Sequence, residues 1–322
     1  GIDLKDELYL SLCKYLFVGN ISEKEIDKAQ DFAKASAVLV YIFKKVFSDE
    51  KPDAVVMNCG HIFWYGIAYN ILKSLGIKII TYDETTISVL NLTWIFDSRN
   101  PCVDFKWESE WESYRQEEFK DSDKSKIKYI IDERKKHYLY NKRNKTISLN
   151  SKYDLSRYRL VFSLFTNVLW DATVVGKHPV YHEGLIAWVK HTIEIIEKFD
   201  DVALIIRIHP AEKDIFGLGS REKVMDELLK WRPQFKENII IIDSSLNINT
   251  YDVVDASDSV LAYASNIGLE AVLMDKIVFV AGPAHFRNKS FTIDPRTPSE
   301  FEDLLIKFIE NKFEFKSQKE IA

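Results

Sequence analysis

The chain is short of the residues and patterns that would make several functional classes easy to assign. Cysteine occurs three times in 322 residues, at Cys13, Cys59 and Cys102, too few and too far apart for a disulfide framework or a CxxC pair. Glycine is scarce, at 11 residues. Neither GxGxxG nor a Walker loop is present, which argues against dinucleotide and P-loop readings. HExxH and HxH are absent, which leaves no metal site in view, and so is the GxSxG elbow of serine hydrolases. No run approaches the roughly 18 apolar residues of a membrane-spanning helix, and no signal peptide is visible. Excess positive charge is also missing. Lys and Arg number 44 against 49 Asp and Glu, a net charge of −5, where a nucleic-acid-binding protein carries a basic footprint. Together these absences predict a cytoplasmic chain with no nucleic-acid partner, compatible with a peripheral position at the inner face of the cytoplasmic membrane. The first residue is Gly1 rather than Met, which reads as a processed, truncated or tagged start.

What is present is core. Apolar residues make up 46% of the chain, enough at this length for two domains. Glu7 to Glu50 has helical spacing, with Ser22 and Glu25 placed as a capping box and Pro52 as the break. A βαβ-like unit follows. Asp53–Asn58 reads as a strand, Cys59-Gly60 as a turn, and His61–Leu75 as a helix closed by Gly76. Ile77–Tyr82 reads as a second strand ending in Asp83-Glu84-Thr85-Thr86. Charged residues dominate from Glu108 to Lys145 and predict exposed helices and a connector. After Tyr158, strands at Leu160–Phe165, Val202–Ile208, Asn238–Ile242, Ser259–Ala262 and Ile277–Val280 alternate with helices at His182–Phe199, Ser220–Trp231, Thr250–Asp255, Asn266–Met274 and Ser299–Ile309. Short connections between alternating strands and helices predict an α/β fold with a doubly wound parallel sheet. The expected division is an N-terminal α/β domain over 1–107, a charged helical connector over 108–157 and a Rossmann-like domain over 158–322.

The richest stretch is VALIIRIHPAE, Val202 to Glu212. Pro210 keeps His209 out of the α region and ends the strand, so a histidine stands at the carboxyl end of a sheet strand, where open α/β folds bind ligands. His209 caps the strand end, donates to a phosphate or acts as an acid. Arg207, two residues earlier, falls on the same face if the strand continues, which favours an anion site; alone it reads as a salt-bridge partner. Glu212 closes the motif. Ser265 and Asn266 open the helix after Ser259–Ala262, as N-caps or as phosphate donors, and Glu270 lies one turn in, where it could accept from ribose hydroxyls. Thr166, Asn167 and Asp171 follow Leu160–Phe165, either as an Asx-type turn or with Thr166 and Asn167 touching an interdomain donor ligand and Asp171 orienting a sugar hydroxyl. Asp83 and Glu84 are solvated loop acids, a helix cap or a base that deprotonates an attacking hydroxyl. Gly60 and His61 follow the neighbouring strand and are expected to face the same crevice on the acceptor side, with His61 the more natural as a helix-start residue. His285 and Lys289 lie in the loop after the last core strand, within reach of an anion. Asp121-Ser122-Asp123 has the DxD form but sits in the charged connector, away from any strand end.

In order along the chain, FSLFTNVLWDAT, LIIRIHPAE, NTYDVVDASDSVLAY, SNIGLEAVLMDK and VFVAGPAHF resemble bacterial and archaeal GT-B glycosyltransferases of surface-polysaccharide and capsule biosynthesis. The resemblance is strong from Leu160 to Thr297 and looser over 53–86. It implies two Rossmann-like domains facing a crevice, a nucleotide-sugar donor held by the C-terminal one and a glycan or lipid-linked glycan acceptor on the other. By resemblance, His209 contacts the donor phosphate, Ser265 and Asn266 cradle it, Glu270 meets the ribose, and Asp83 or Glu84 is the base. No metal or cofactor is implied; the nucleotide sugar, CMP-, UDP- or GDP-linked, is a substrate. Two features depart from the pattern. The N-terminal half offers only two clear strands, which predicts a reduced or truncated acceptor domain. Met274-Asp275-Lys276 stands where relatives commonly place Gly-Lys-Pro. A teichoic-acid-type polyol-phosphate transferase and a non-catalytic nucleotide- or carbohydrate-binding module are the alternatives.

Overall fold

The computed structural model describes residues 2–88, 91–101, 108–118, 120–141, 147–213 and 219–312, with the backbone alone for 84–88, 91–95, 108–109 and 134–141. The chain divides into two compact units. One is Gly1–Trp107 with Trp170–Val175, the other Glu108–Leu169 with Gly176–Ala322.

The first unit begins with α1 (Lys5–Leu16) and α2 (Ile26–Glu50). The expected continuous helical segment is cut at Phe17, whose φ of 56° places it in the left-handed region. The capping box forms as read: the Glu25 carboxylate accepts from the Ser22 N–H at 3.1 Å and from the Ser22 hydroxyl. Then come β1 (Ala54–Asn58), α3 (Phe63–Ser74), β2 (Lys78–Ser88) and β3 (Asn91–Asp97). α3 ends in a Schellman motif. Gly76, at φ +70°, donates to Lys73 O at 3.2 Å and Ile77 donates to Leu72 O at 3.1 Å, so orphan carbonyls are satisfied. The sheet order is β1-β2-β3, with β2 parallel to β1 and antiparallel to β3. This corrects the reading of Asp83 and Glu84 as loop residues. The parallel pairing with β1 stops at Tyr82, but the strand continues, and Asp83 and Glu84 pair with Ile95 and Trp94. β3 escaped the sequence because Val89-Leu90, between the strands, carries none of the Gly, Asn or Pro that mark a hairpin.

The second unit opens with the charged helices α4 (Glu108–Tyr114) and α5 (Asp121–Asn141) and the single turn α6 (Leu149–Lys152). The DxD acids lie in the first turn of α5, where Asp121 pairs with exposed Lys124 at 3.1 Å. The α/β alternation follows as β4 (Leu160–Phe165), α7 (Leu185–Ile196), β5 (Val202–Arg207), α8 (Val224–Trp231), β6 (Ile239–Ile242), α9 (Thr250–Asp255), β7 (Ser259–Ala262), α10 (Ile267–Leu273), β8 (Ile277–Val280) and α11 (Pro298–Ile309). All strands of this sheet pair in parallel, in the order β6-β5-β4-β7-β8. β5 is buried at every residue, which is why it reads as a continuous apolar run rather than an alternation. α7 covers the sheet with Leu185, Trp188, Val189, Thr192, Ile193 and Ile196, a stripe at helical spacing.

Candidate functional site

β4 occupies the centre of the parallel sheet. The chain runs outward through β5 and β6, then returns to lay β7 and β8 on the other side, so the strand order reverses between β4 and β7. Ligands of open α/β sheets bind beyond the carboxyl ends of the strands at such a reversal. The three strand ends are in register: Phe165 pairs with Arg207 of β5 and with Ala262 of β7. The next two residues tie them together. Thr166 Oγ1 accepts from the His209 N–H at 3.1 Å, and Asn167 Oδ1 accepts from the Ala264 N–H at 3.1 Å. Thr166 and Asn167 therefore fix the backbone on both sides of β4.

His209 has φ −61° and ψ 126°, the extended conformation that a following proline demands. Its Nδ1 accepts from the Ala211 N–H at 3.1 Å, which puts the proton of the neutral ring on Nε2. The half-buried imidazole is thus held as an Nε2–H donor at the strand end.

Arg207 does not join it. Its side chain is buried and donates to the carbonyls of Asp243 at 3.1 Å and Ile248 at 3.4 Å. The strand stops at Arg207, so the two-residue alternation does not extend to His209, and the guanidinium braces the segment between β6 and α9 instead of adding to an anion site.

Glu212 is also buried, and its carboxylate accepts from the Val224 N–H at 3.1 and 3.3 Å. It supplies a side-chain acceptor at the start of α8, a helix the sequence reading began at Ser220. Burial pushes its carboxyl up to about 7, with Asp243 and Asp226 adding and the Val224 N–H opposing.

Around β7, neither Ser265 nor Asn266 is used as a side-chain cap of α10; Ser265 is half-buried and Asn266 exposed. Glu270 is buried and accepts from the Tyr251 hydroxyl at 2.6 Å, which braces α10 against α9 rather than presenting the whole carboxylate outward. The loop after β8 leaves the sheet and returns through Ile293, which pairs again with Val278 and Val280. At its start, a Cβ on Gly282 would come within 2.4 Å of Tyr263 O, so this backbone lies directly on the end of β7. Farther on, Phe286 fills the space beside Gly268 in α10. His285 packs its ring edgewise on Phe286, and burial, with Lys289 beside it, holds its imidazole below the usual histidine range. The Lys289 side chain is largely buried in the same loop.

The remaining expected residues lie in the first unit. Gly60, at φ +77°, sits where a Cβ would meet Thr81 Cγ2 at 2.7 Å, so the turn after β1 requires glycine. The His61 N–H approaches Cys59 Sγ at 3.4 Å, just before α3. Asp171 closes an Asx turn, accepting from the Thr173 N–H and hydroxyl, both at 2.8 Å. It belongs to the first unit, whereas Thr166 and Asn167 belong to the second. The Asp83 side chain is half-buried; that of Glu84 lies outside the described residues.

One residue at the β7 end was missed in the sequence. His178 bonds through Nδ1 to the Tyr263 hydroxyl at 2.9 Å. The available signal was a second His-Pro dipeptide, His178-Pro179. Among the described residues no three His, Cys, Asp or Glu side chains gather as a metal site, and no helix is long and apolar enough to cross a membrane.

A parallel sheet whose strand order reverses between β4 and β7, in a chain that carries a second α/β unit, defines a GT-B-like α/β protein. Residues 107–303, more than half of the chain, match the capsule polysaccharide biosynthesis protein family, and the chain belongs to it. Among solved structures, it is similar to the β-Kdo 2,4-transferase of Thermosulfurimonas dismutans KpsC, with 13% identity, a TM-score of 0.52, and 83% of this chain and 77% of that one covered. The β-Kdo 2,7-transferase of the same protein shares 15% identity over 80% of this chain and 73% of that one, at a TM-score of 0.48. A UDP-GlcNAc 2-epimerase from Neisseria meningitidis shares 13% over 88% and 76%, at 0.40. No curated protein sequence matches the chain.

Proposed function

We propose that the chain is a glycosyltransferase that moves a sugar from a nucleotide-sugar donor to a surface glycan or a lipid-linked glycan acceptor in capsule-type polysaccharide assembly. The observation that carries the reading is His209, held at the sheet's reversal point with Nδ1 occupied by a backbone N–H, which makes Nε2 the protonated nitrogen of the neutral ring. Family membership and the fold shared with a β-Kdo 2,4-transferase support it.

The chemistry requires a departing nucleotide to take up negative charge as the bond from its phosphate oxygen to the anomeric carbon breaks. Preorganised donors near that oxygen lower the barrier. His209 Nε2–H, the Ser265 hydroxyl, the Asn266 amide and the Lys289 ammonium are the groups assigned to the phosphate. The acceptor hydroxyl attacks the anomeric carbon directly or after a first displacement, and its proton passes to a carboxylate. Asp83 or Glu84 is assigned as that base on chemical grounds. The reading uses no resident metal or organic cofactor, and it places the protein at the inner face of the cytoplasmic membrane, where a lipid-linked acceptor is accessible.

Thermal unfolding in the presence of CMP, UDP, GDP and CDP-glycerol tests the proposal. Stabilisation by one nucleoside phosphate, reduced in His209→Ala, is expected. No stabilisation by any of them would sink the transferase reading, and stabilisation by CDP-glycerol alone would redirect it to a phospho-polyol donor.

A further inference from the structure

We propose that His178 is a second imidazole of the donor site, donating from Nε2 to the phosphate of the nucleotide sugar. The inference rests on the reading of the second unit as the donor-binding one.

The ring is held on two sides. Tyr263, the residue after β7, is fully buried, packs on Trp188 of α7 at 5.4 Å between ring centroids, and is pressed by the backbone at Gly282. Its hydroxyl has one bond among the described residues, to His178 Nδ1 at 2.9 Å. A buried phenol proton needs an acceptor. If Nδ1 carried the hydrogen, the Tyr263 O–H would have nowhere to donate, so the phenol donates to Nδ1 and the neutral ring is protonated at Nε2. On the other side, Gly184, the residue before α7, has φ +88°, and a Cβ there would lie 3.2 Å from His178 Cε1 and 3.3 Å from Nε2. The glycine allows the imidazole to lie over the start of the helix.

His178 Nε2 makes no hydrogen bond among the described residues, and the ring is half-buried rather than enclosed. His209 and His178 thus share a tautomer: Nδ1 accepts from the protein and Nε2 carries the hydrogen. One is fixed to the end of β5 and the other to the end of β7, on either side of β4. Two strand spacings, about 10 Å, separate the backbone ends to which the two rings are tied. Burial, with His182 nearby, keeps His178 below the ordinary histidine range, so near neutral pH it acts as an uncharged donor.

The plain alternative is that His178 only satisfies the Tyr263 hydroxyl. Comparing Tyr263→Phe with His178→Phe/Tyr263→Phe separates the two, because neither variant leaves a phenol unpaired. The nucleotide that stabilises the wild type is titrated into both. The double variant is expected to bind at least about tenfold more weakly than Tyr263→Phe, the size of one lost hydrogen bond to a charged group. Equal affinity would overturn the inference while leaving the donor reading intact. Absence of nucleotide binding in the wild type would overturn the donor reading, and this inference with it. A ¹⁵N titration of the wild type covers the case of a variant that does not fold: the His178 Nε2 signal should move as nucleotide is added, and an unmoved signal under saturation would refute the contact.

Discussion

Glu212 joins the turn after His209 to the start of α8 through a carboxylate that the interior makes hard to ionise. A carboxyl raised from 4.5 to about 7 binds its proton more tightly in the folded chain than in the unfolded one. Its contribution to stability is therefore fully present below pH 4.5, falls as the pH rises, and levels off above about 7, a change of about 3 kcal/mol for a group this buried. Glu212→Gln keeps an acceptor for the Val224 N–H and cannot ionise. Urea unfolding at pH 5 and pH 8 should show the two proteins converging at the lower pH and the variant the more stable at the higher; parallel profiles would count against a raised carboxyl. Thr166 makes a different case. Thr166→Val keeps the shape and removes the acceptor of the His209 N–H, so a loss of about 1–2 kcal/mol is expected together with weaker nucleotide binding, both recovered by Thr166→Ser. Normal binding in Thr166→Val would show that His209 is positioned by other contacts.

At the scale of elements, two glycines separate space from backbone conformation. Gly282 lies on Tyr263, and a methyl group there meets the backbone carbonyl at 2.4 Å, so Gly282→Ala must move the loop or the end of β7. A cost of about 1–3 kcal/mol is expected, along with a change in the Tyr263–His178 pair. Gly76 has open space around it and a φ of +70°. Gly76→Ala should cost only about 1 kcal/mol, from backbone strain at the end of α3, and leave nucleotide binding untouched. Denaturant unfolding of both variants, with nucleotide titrations alongside, checks the contrast. The elements also explain which boundaries could be read. β4, β7, β8 and α9 coincide with their sequence assignments, the strands because each is a short apolar run buried in the sheet and α9 because Asn249 caps it by accepting from the Tyr251 N–H. α8 starts four residues later than its apparent Ser220 cap because a carboxylate distant from it in sequence, that of Glu212, reaches its first turn.

For the whole molecule, nucleotide binding and stability are linked. A ligand that binds only the folded chain adds about 2.7 kcal/mol at a free concentration one hundred times its Kd. Amide hydrogen exchange should locate that gain: the N–H groups of His209 and Ala264, bonded to Thr166 and Asn167, are expected among those most slowed by nucleotide. Unchanged exchange at both, with binding otherwise evident, would move the ligand away from the strand-reversal edge.

The sequence by itself determined the parallel α/β order, the strand ends that carry Thr166, Asn167, His209 and Ser265, and the turn glycine at 60, because these depend on local periodicity, proline and glycine geometry. The fates of Arg207 and Glu270 were decided only in three dimensions, whereas Asp171 forms the Asx-type turn that its local sequence offered. Arg207 is absorbed by the carbonyls of Asp243 and Ile248, and Glu270 by Tyr251. A polar side chain near a strand end has the same signature in sequence whether it faces a ligand or an orphaned backbone group. Which of these it meets depends on segments that only the folded chain brings beside it, and this is also why the pairing of His178 with Tyr263, far from it in sequence, became legible only there.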